Sequence, residues 1–177
     1  MMTTYAALLR GINVGGNNKV PMADLRALCL GLGYDNVETY IQSGNVVFDA
    51  SGSEASVTDE MPAALLATFG LSLSVVVRSA AELVEIVARN PFPSETDGTK
   101  LHVTCFASPL PAPMVAKLDP ALAPPDAFVI DGRDMYLHLP GGMGTSKLAV
   151  HIGQKLGKLG TSRNWNTVLK LVEMSRR

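Results

Sequence analysis

The spacing of apolar residues predicts strands and helices in a regular order along the first half of the chain. Residues 5–12 are almost continuously apolar, as in a strand that is buried on both faces. From Pro21 to Gly33 the apolar residues recur at helical spacing, with the proline suited to the first turn and the glycine suited to the helix end. Two short strands, 37–42 and 46–49, then flank a Ser-Gly-Asn turn.

A second helix and a fourth strand follow in this half. Thr58 is expected to cap the helix, which carries Pro62 in its first turn and stops at Gly70 after Phe69. The run LSLSVVV then predicts a strand. The resulting order, β-α-β-β-α-β, is that of the ferredoxin-like split motif.

The second half begins at Ser79-Ala-Ala-Glu82, a capping box that opens a helix ending at Asn90-Pro91. The remaining predicted elements are a strand at 101–106, a short helix at 114–118, a hairpin of strands 127–130 and 135–139, and helices at 148–156 and 165–174. This half therefore follows the order α-β-α-β-β-α-α. We predict an α+β fold of two ferredoxin-like units, residues 1–79 and 80–177, with antiparallel sheets covered by helices and packed as one body.

The composition indicates a globular, cytoplasmic protein. Hydrophobic residues make up 47% of the 177 residues and charged residues only 18%, which suits a chain with a sizeable core. No apolar run approaches the roughly 20 residues that span a bilayer, and the start of the chain has no secretion-signal pattern. Cys29 and Cys105 lie in apolar runs, as buried thiols of a reducing compartment do. Neither cysteine has a metal-ligand pattern around it, so we expect no metal and no cofactor.

Charge is distributed unevenly, although the net charge is only −1. The chain through Pro140 has a net charge of −7, and the segment from Gly141 onward has a net charge of +6. A short basic segment on an acidic body suits one anionic ligand or self-association better than a long polyanion. An ordinary solvated helix face would produce the same pattern.

A loop rich in glycine and asparagine, GINVGGNNK, joins the first strand to the first helix. Gly11 and Gly16 have the glycine spacing of a Walker A loop, but Asn17 stands where that loop has its lysine, and no Ser or Thr follows. Inward-turned amides, a following helix N-terminus and the nearby Arg10 and Lys19 would still suit an anion. A plain turn, in which asparagines tolerate left-handed backbone, is the alternative.

Two further polar segments precede helices. LPGGMGTSKL places three glycines after a strand, and Ser146 and Lys147 then open a helix. GTSRNWNTV is predicted to lead directly into the last helix, with Thr161 or Ser162 as its cap. Because a helix start is already positive, Arg163 at that place suits an anionic partner, whether a ligand or a carboxylate of the same chain. If these loops converge, they would line a shared cleft.

No catalytic set stands out in the sequence. The acidic residues are scattered, and no Cys–His or Ser–His–Asp arrangement is evident. Whether the protein is an enzyme is therefore left open by the sequence.

Three long strings, YAALLRGINVGGNNKVPMADLRAL, VETYIQSGNVVF and GTSRNWNTVLKL, resemble the hallmark strings of a bacterial family of uncharacterised proteins, a domain of unknown function. The resemblance covers nearly the whole chain. It implies a cytoplasmic α+β protein of two ferredoxin-like units and implies no activity. The family pattern concentrates on segments that carry nine polar residues here: Arg10, Asn13, Ser43, Asn45, Ser146, Lys147, Arg163, Asn164 and Asn166.

Binding of a small anionic or polar ligand, such as a nucleotide or phosphorylated metabolite, is our leading hypothesis from the sequence. The ligand-binding residues would be these nine together with Lys19. A module that binds single-stranded nucleic acid is a second hypothesis, disfavoured by an aromatic content of only 6%. Protein interaction or self-assembly, including a homodimer, is a third.

Overall fold

The computed structural model describes all residues, 1–177, and the chain divides into two compact units. The first unit comprises Met1–Glu85 together with Lys170–Arg177, and the second comprises Ile86–Leu169. The last eight residues of the chain therefore belong to the first unit. None of the helices combines the length and apolar character needed to cross a membrane.

The first unit is built from four strands and two helices in the order β-α-β-β-α-β. Its elements are β1 (Thr3–Leu9), α1 (Met22–Gly31), β2 (Asp35–Tyr40), β3 (Asn45–Ala50), α2 (Glu54–Phe69) and β4 (Val75–Ser79). The sheet has the order β2-β3-β1-β4, and every neighbouring pair is antiparallel. The element order and strand order together define a ferredoxin-like unit, which confirms the predicted fold.

One face of this sheet packs against its helices to form the core of the first unit. Tyr5, Ala7 and Leu9 alternate along β1 toward this core, as side chains on one face of a strand must. Leu25 and Cys29 reach it from α1. Burial raises the pKa of the Cys29 thiol to about 12, so the thiol stays protonated and unreactive at neutral pH.

The second unit repeats this arrangement. Its sheet and covering helices are β5 (Leu101–Phe106), α4 (Ala112–Val115), β6 (Ala127–Asp131), β7 (Asp134–His138), α5 (Lys147–Leu156) and β8 (Gly160–Asn164). Helix α3 (Ala80–Ala88), which precedes β5, and helix α6 (Trp165–Met174), which follows β8, each contain residues of both units. The sheet order β6-β7-β5-β8 places the strands as in the first sheet, with all neighbouring pairs antiparallel. Residues of β5 and β7 pack with α5 in a second apolar core.

The last strand corrects our prediction for the segment before the final helix. Residues Gly160–Asn164 do not simply lead into α6, because they form β8 and pair with β5 from His102↔Asn164 to Phe106↔Gly160. A β-carbon on Gly160 would lie 2.7 Å from atoms of Phe106 and Thr104, so only glycine fits there. This strand completes the second β-α-β-β-α-β unit.

Helix boundaries show one error and one success of the sequence analysis. Helix α2 begins four residues before the predicted cap, because the Ser53 hydroxyl accepts a hydrogen bond from the Ser56 amide at 3.2 Å. Pro62 consequently lies inside the helix and not in its first turn. The capping box is confirmed: the Ser79 amide donates to Glu82 Oε2 at 2.8 Å, and the Glu82 amide donates to Ser79 Oγ at 3.3 Å.

Candidate functional site

The glycine-rich loop after β1 forms a small exposed hairpin. Val14 and Asn17 make an antiparallel bridge, and the Asn17 amide donates to the Val14 carbonyl at 3.0 Å. Between them Gly15 and Gly16 have φ values of 58° and 80°, as a type I′ turn requires. The glycines therefore serve a tight turn, and Val14 at its base is 66% exposed.

Asn13 ties this hairpin to the rest of the first unit. Its backbone is left-handed, with a φ of 54°. Its side-chain amide donates to the carbonyls of Val20 at 2.9 Å and Gln42 at 2.8 Å, and its Oδ1 accepts from the Val20 amide at 2.9 Å. These bonds join the glycine loop to the β2–β3 turn, so two of the predicted segments do meet. They also occupy the groups with which Asn13 would bind a ligand.

The Ser-Gly-Asn turn between β2 and β3 is stabilised by hydrogen bonds from its own asparagine. Asn45 is fully buried, and its side-chain amide donates to the Tyr40 carbonyl at 3.0 Å and to Ser43 Oγ at 3.1 Å. The Gly44 carbonyl accepts from the Leu9 amide at 2.8 Å. These contacts give Ser43 and Asn45 a role in fixing the turn against the end of β1.

Two basic residues flank the loops of the first unit. The backbone amide of Arg10 donates to the Ser74 carbonyl at 3.0 Å, and its side chain is half-buried. Lys19 is exposed and makes no ion pair. Helix α1 begins just beyond it, with Pro21 at the cap position and no side-chain cap. Lys19 is thus an available cation on an open surface.

The second glycine loop lines a concave pocket of about 700 Å³ in the second unit. One wall is the segment Leu122–Asp126, and the other runs from Pro140 through Lys147. Thr145 donates to the Gly141 carbonyl at 2.9 Å, which closes the loop on itself. The pocket ends at the N-terminus of α5, a ten-residue helix.

Ser146 fixes the start of α5 and joins the two walls. Its hydroxyl oxygen accepts from the Ala149 amide at 2.9 Å, as an N-cap residue does, and its hydroxyl donates to Asp126 Oδ2 at 2.7 Å. The Ser146 hydroxyl therefore acts both as a donor and as an acceptor of hydrogen bonds within the chain. Asp126 faces the pocket as well, and sequence analysis did not single it out. The one feature of the sequence that could have drawn attention to Asp126 is its position directly after Pro124-Pro125.

Lys147 gives the pocket its positive charge. The side chain is exposed and makes no ion pair. The amides of Lys147 and Leu148 have no partner within the chain, as expected for the first residues of a helix. The pocket thus offers an ammonium group and a helix N-terminus beside the Asp126 carboxylate, a combination suited to a ligand with both acceptor and donor groups.

The third predicted segment has a structural role that sequence analysis missed. Arg163 lies within β8, and its side chain donates to Thr161 Oγ1 at 2.9 Å and to the Ser162 carbonyl at 2.8 Å. Burial lowers the pKa of Arg163 to about 10, which leaves it protonated at neutral pH. Asn164, and not Thr161 or Ser162, caps α6, because its Oδ1 accepts from the Thr167 amide at 2.9 Å.

Asn166 lies against the loop that precedes β5. A β-carbon on Gly98 would lie 2.1 Å from Asn166 Oδ1, so this side chain packs directly on the glycine. The amide of Trp165 donates to the Gly98 carbonyl at 3.1 Å. The start of α6 is therefore fastened to this loop.

The ten residues proposed from the sequence are divided equally between the two units. The first unit holds Arg10, Asn13, Lys19, Ser43 and Asn45, and the second holds Ser146, Lys147, Arg163, Asn164 and Asn166. Most of their polar groups organise loops and caps. Lys19 and Lys147 differ from the other eight residues, because both side chains are exposed and neither forms an ion pair. No group of three or more His, Cys, Asp or Glu side chains is arranged to hold a metal ion.

Comparison with known proteins agrees with the fold described above, an α+β protein of two ferredoxin-like units. A family model described as "Protein of unknown function (DUF1697)" matches residues 2–136, and the chain belongs to this family. The structure is similar to one described as that of conserved bacterial protein SP0830 from Streptococcus pneumoniae, with a TM-score of 0.77 and 24% sequence identity. The match covers 99% of this chain and 100% of that chain. The comparison with curated proteins gives no match.

Proposed function

We propose that this protein is a cytoplasmic binding protein for a small ligand that carries a phosphate or carboxylate together with hydroxyl or amino groups. The pocket between Leu122–Asp126 and Pro140–Lys147 is the proposed site. The observation that carries the proposal is the unpaired Lys147 at the helix start of a concave pocket of about 700 Å³. Ligand pockets in proteins have volumes of about 300–1,000 Å³.

The chemistry of the pocket walls supports a ligand with two kinds of polar group. Lys147 and the free amides of the first turn of α5 would bind the anionic group. Asp126 accepts the Ser146 hydroxyl through Oδ2, and its other oxygen would accept a ligand hydroxyl or amino group. The Asp126 carboxylate in the same pocket would repel a simple anion. A phosphorylated metabolite or nucleotide fits better, because its hydroxyl or amino groups can lie beside the carboxylate.

The cytoplasmic location is supported by the two cysteines. Cys29 and Cys105 are both buried thiols, and neither takes part in a disulfide. Free buried thiols are usual in a reducing compartment.

A thermal-shift screen tests the proposal, with inorganic phosphate, nucleotides and phosphorylated sugars as probes. A ligand at 100 times its dissociation constant stabilises the folded state by about 2.7 kcal/mol, which is readily seen as a rise in Tm. We expect the nucleotides or phosphorylated sugars to raise the Tm and inorganic phosphate alone to have less effect.

Variants of one helix locate the binding site. Lys147→Ala should remove the shift, because it deletes the charge at the pocket. Lys155→Ala is the matched control, since Lys155 is an exposed lysine in the last turn of the same helix. Equal ligand shifts in the wild type and in Lys147→Ala would disprove the pocket as the binding site. No shift with any probe would contradict the ligand class.

A further inference from the structure

Strand β6 is an edge strand whose outer side has no partner. It lies at one end of the order β6-β7-β5-β8 and pairs only with β7. No other hydrogen bond or ion pair involves the strand, apart from the contact of Asp131 with Arg89. Its outward amides and carbonyls therefore remain available for another strand.

The turn between β6 and β7 determines which backbone groups face outward. Asp131 pairs with Asp134 across the two-residue turn Gly132-Arg133, so the groups of Asp131 point toward β7. The direction alternates along an antiparallel strand. The amides and carbonyls of Phe128 and Ile130 consequently point away from the sheet.

Strand β2, which occupies the corresponding edge of the first sheet, is protected against pairing with another strand, and β6 is not. Strand β2 ends the first sheet, carries Asp35 and Glu38, and has a register irregularity between them. Acidic residues and bulges of this kind discourage pairing with another chain. Strand β6, with the sequence AFVID, has one charged residue, and Arg89 lies 3.3 Å from its carboxylate.

We propose that β6 pairs with β6 of a second copy of this chain, antiparallel about a two-fold axis at Val129. In this register Phe128 lies opposite the partner's Ile130, and both residues have outward-pointing backbone groups. Each such pair exchanges two hydrogen bonds, so the interface has four. The two Val129 residues form the central pair, which makes no hydrogen bonds.

The side chains of the strand are complementary to themselves in this register. Phe128 and Ile130 are half-buried at the rim of the second unit's core, so the partner's Ile130 would cover Phe128 and extend that core. Aromatic and β-branched residues form favourable cross-strand pairs. Asp131 would lie opposite the partner's Ala127, so no like charges meet. This self-complementarity favours a second copy over an unrelated peptide.

A strand of five residues makes a small interface. Interfaces of low area are characteristic of weak, transient association. We therefore expect a dimer that dissociates on dilution, and not a permanent one.

Disulfide trapping tests the register directly. A pair that makes no hydrogen bonds in an antiparallel sheet has Cα atoms about 4.5 Å apart, within the range of about 4.4–6.8 Å that a disulfide spans. The Val129→Cys variant should therefore form a covalent dimer under mild oxidation. The native cysteines are buried and do not compete. Val150→Cys is the control, because Val150 is also exposed but lies on α5.

Charge substitutions test the same contact without a covalent bond. Val129 is 39% exposed, so a lysine or glutamate there is compatible with a folded monomer, which circular dichroism would verify. Val129→Lys should weaken the dimer at least tenfold in sedimentation experiments, because two lysines would meet at the axis. An equimolar mixture of Val129→Lys and Val129→Glu should restore association.

Several results would overturn the proposal. One is a wild-type protein that stays monomeric up to about 1 mM. Another is crosslinking of Val129→Cys no faster than that of Val150→Cys. A third is a wild type that binds extended peptides along β6 but never itself.

Discussion

Asp49 is the centre of a polar cluster whose loss should destabilise the first unit measurably. Thr4 Oγ1 and Asn36 Nδ2 each donate to its carboxylate at 2.7 Å, and the Arg177 guanidinium lies 3.7 Å from it. The Asp49 side chain is only 13% exposed. The cluster joins β1, β2 and β3 to the residues that follow α6. The substitution Asp49→Asn therefore tests how much this cluster contributes to stability.

The expected magnitude follows from the negative charge that the amide lacks. An asparagine can still accept from Asn36 and donate to the Thr4 hydroxyl, but both short bonds then lose their charged acceptor and Arg177 loses its counter-charge. A hydrogen bond to a charged group contributes about 1.5–3 kcal/mol. We expect Asp49→Asn to lower the free energy of unfolding by about that amount at pH 7.

The effect should depend on pH. Burial alone would raise the pKa of Asp49, but the hydrogen bonds from Asn36 and Thr4 and the charge of Arg177 lower it below its usual 3.8. A depressed pKa in the folded state gives stability that is complete above the unfolded pKa and is lost as pH falls through the folded pKa. The difference between wild type and Asp49→Asn should therefore shrink below about pH 4.

Urea unfolding followed by circular dichroism at pH 7 and pH 3 measures both effects. Asp59→Asn is the matched control, because Asp59 is exposed on α2 and makes no contact with a polar partner. A stability of Asp49→Asn within about 0.5 kcal/mol of the wild type at pH 7, the range of ordinary surface substitutions, would contradict a stabilising role of this cluster. An equal loss of stability at pH 7 and pH 3 would contradict a contribution from the charge of Asp49.

Two further predictions concern the positions that shape β8 and the first loop. Gly160→Ala should lower stability by about 1–3 kcal/mol, because its β-carbon would overlap side chains of β5. Gly153→Ala, in an open part of α5, should instead stabilise by about 0.5–1 kcal/mol, and thermal unfolding compares the two. Asn13→Ala should lower the free energy of unfolding by about 1–3 kcal/mol, because the side-chain hydrogen bonds of Asn13 are lost. Asn17 is exposed, so Asn17→Ala should leave stability unchanged. Equal urea midpoints for the two variants would contradict this expectation.

The first ferredoxin-like unit was predictable because its signals are local. A buried strand such as β1 is almost continuously apolar, and α1 shows helical spacing of its apolar residues. The capping box at Ser79 and Glu82 depends on residues three apart, so the sequence contains the whole interaction. The start of α2 was misjudged because Ser53 and Thr58 are both acceptable caps, and local pattern alone did not choose between them.

Strand β8 was not predictable in the same way. Its sequence, GTSRN, has no large apolar residue and no alternating pattern. Its conformation depends on pairing with β5, about sixty positions earlier in the chain, and on the space that Gly160 leaves for Phe106. Arg163 was therefore assigned to a helix start when it lies in a strand.

The candidate site shows the same division. The glycines before α5 and Lys147 at its start were visible in the sequence, since a glycine loop followed by a hydroxyl and a lysine is a short-range pattern. The partnership of Ser146 with Asp126, twenty residues away, was not visible. This contact places a carboxylate in the pocket beside the Lys147 cation.

The α+β class, most of the helices and strands, and the polar loops at their junctions could all be predicted from the sequence. These features follow from periodicity, capping and turn chemistry, which act over a few residues. The folded structure was needed to show which polar groups form internal hydrogen bonds, as in Asn13 and Asn45, and which remain exposed, as in Lys147. Hydrogen bonds between distant segments make that choice, because a donor or acceptor already bonded inside the fold is not available to a ligand.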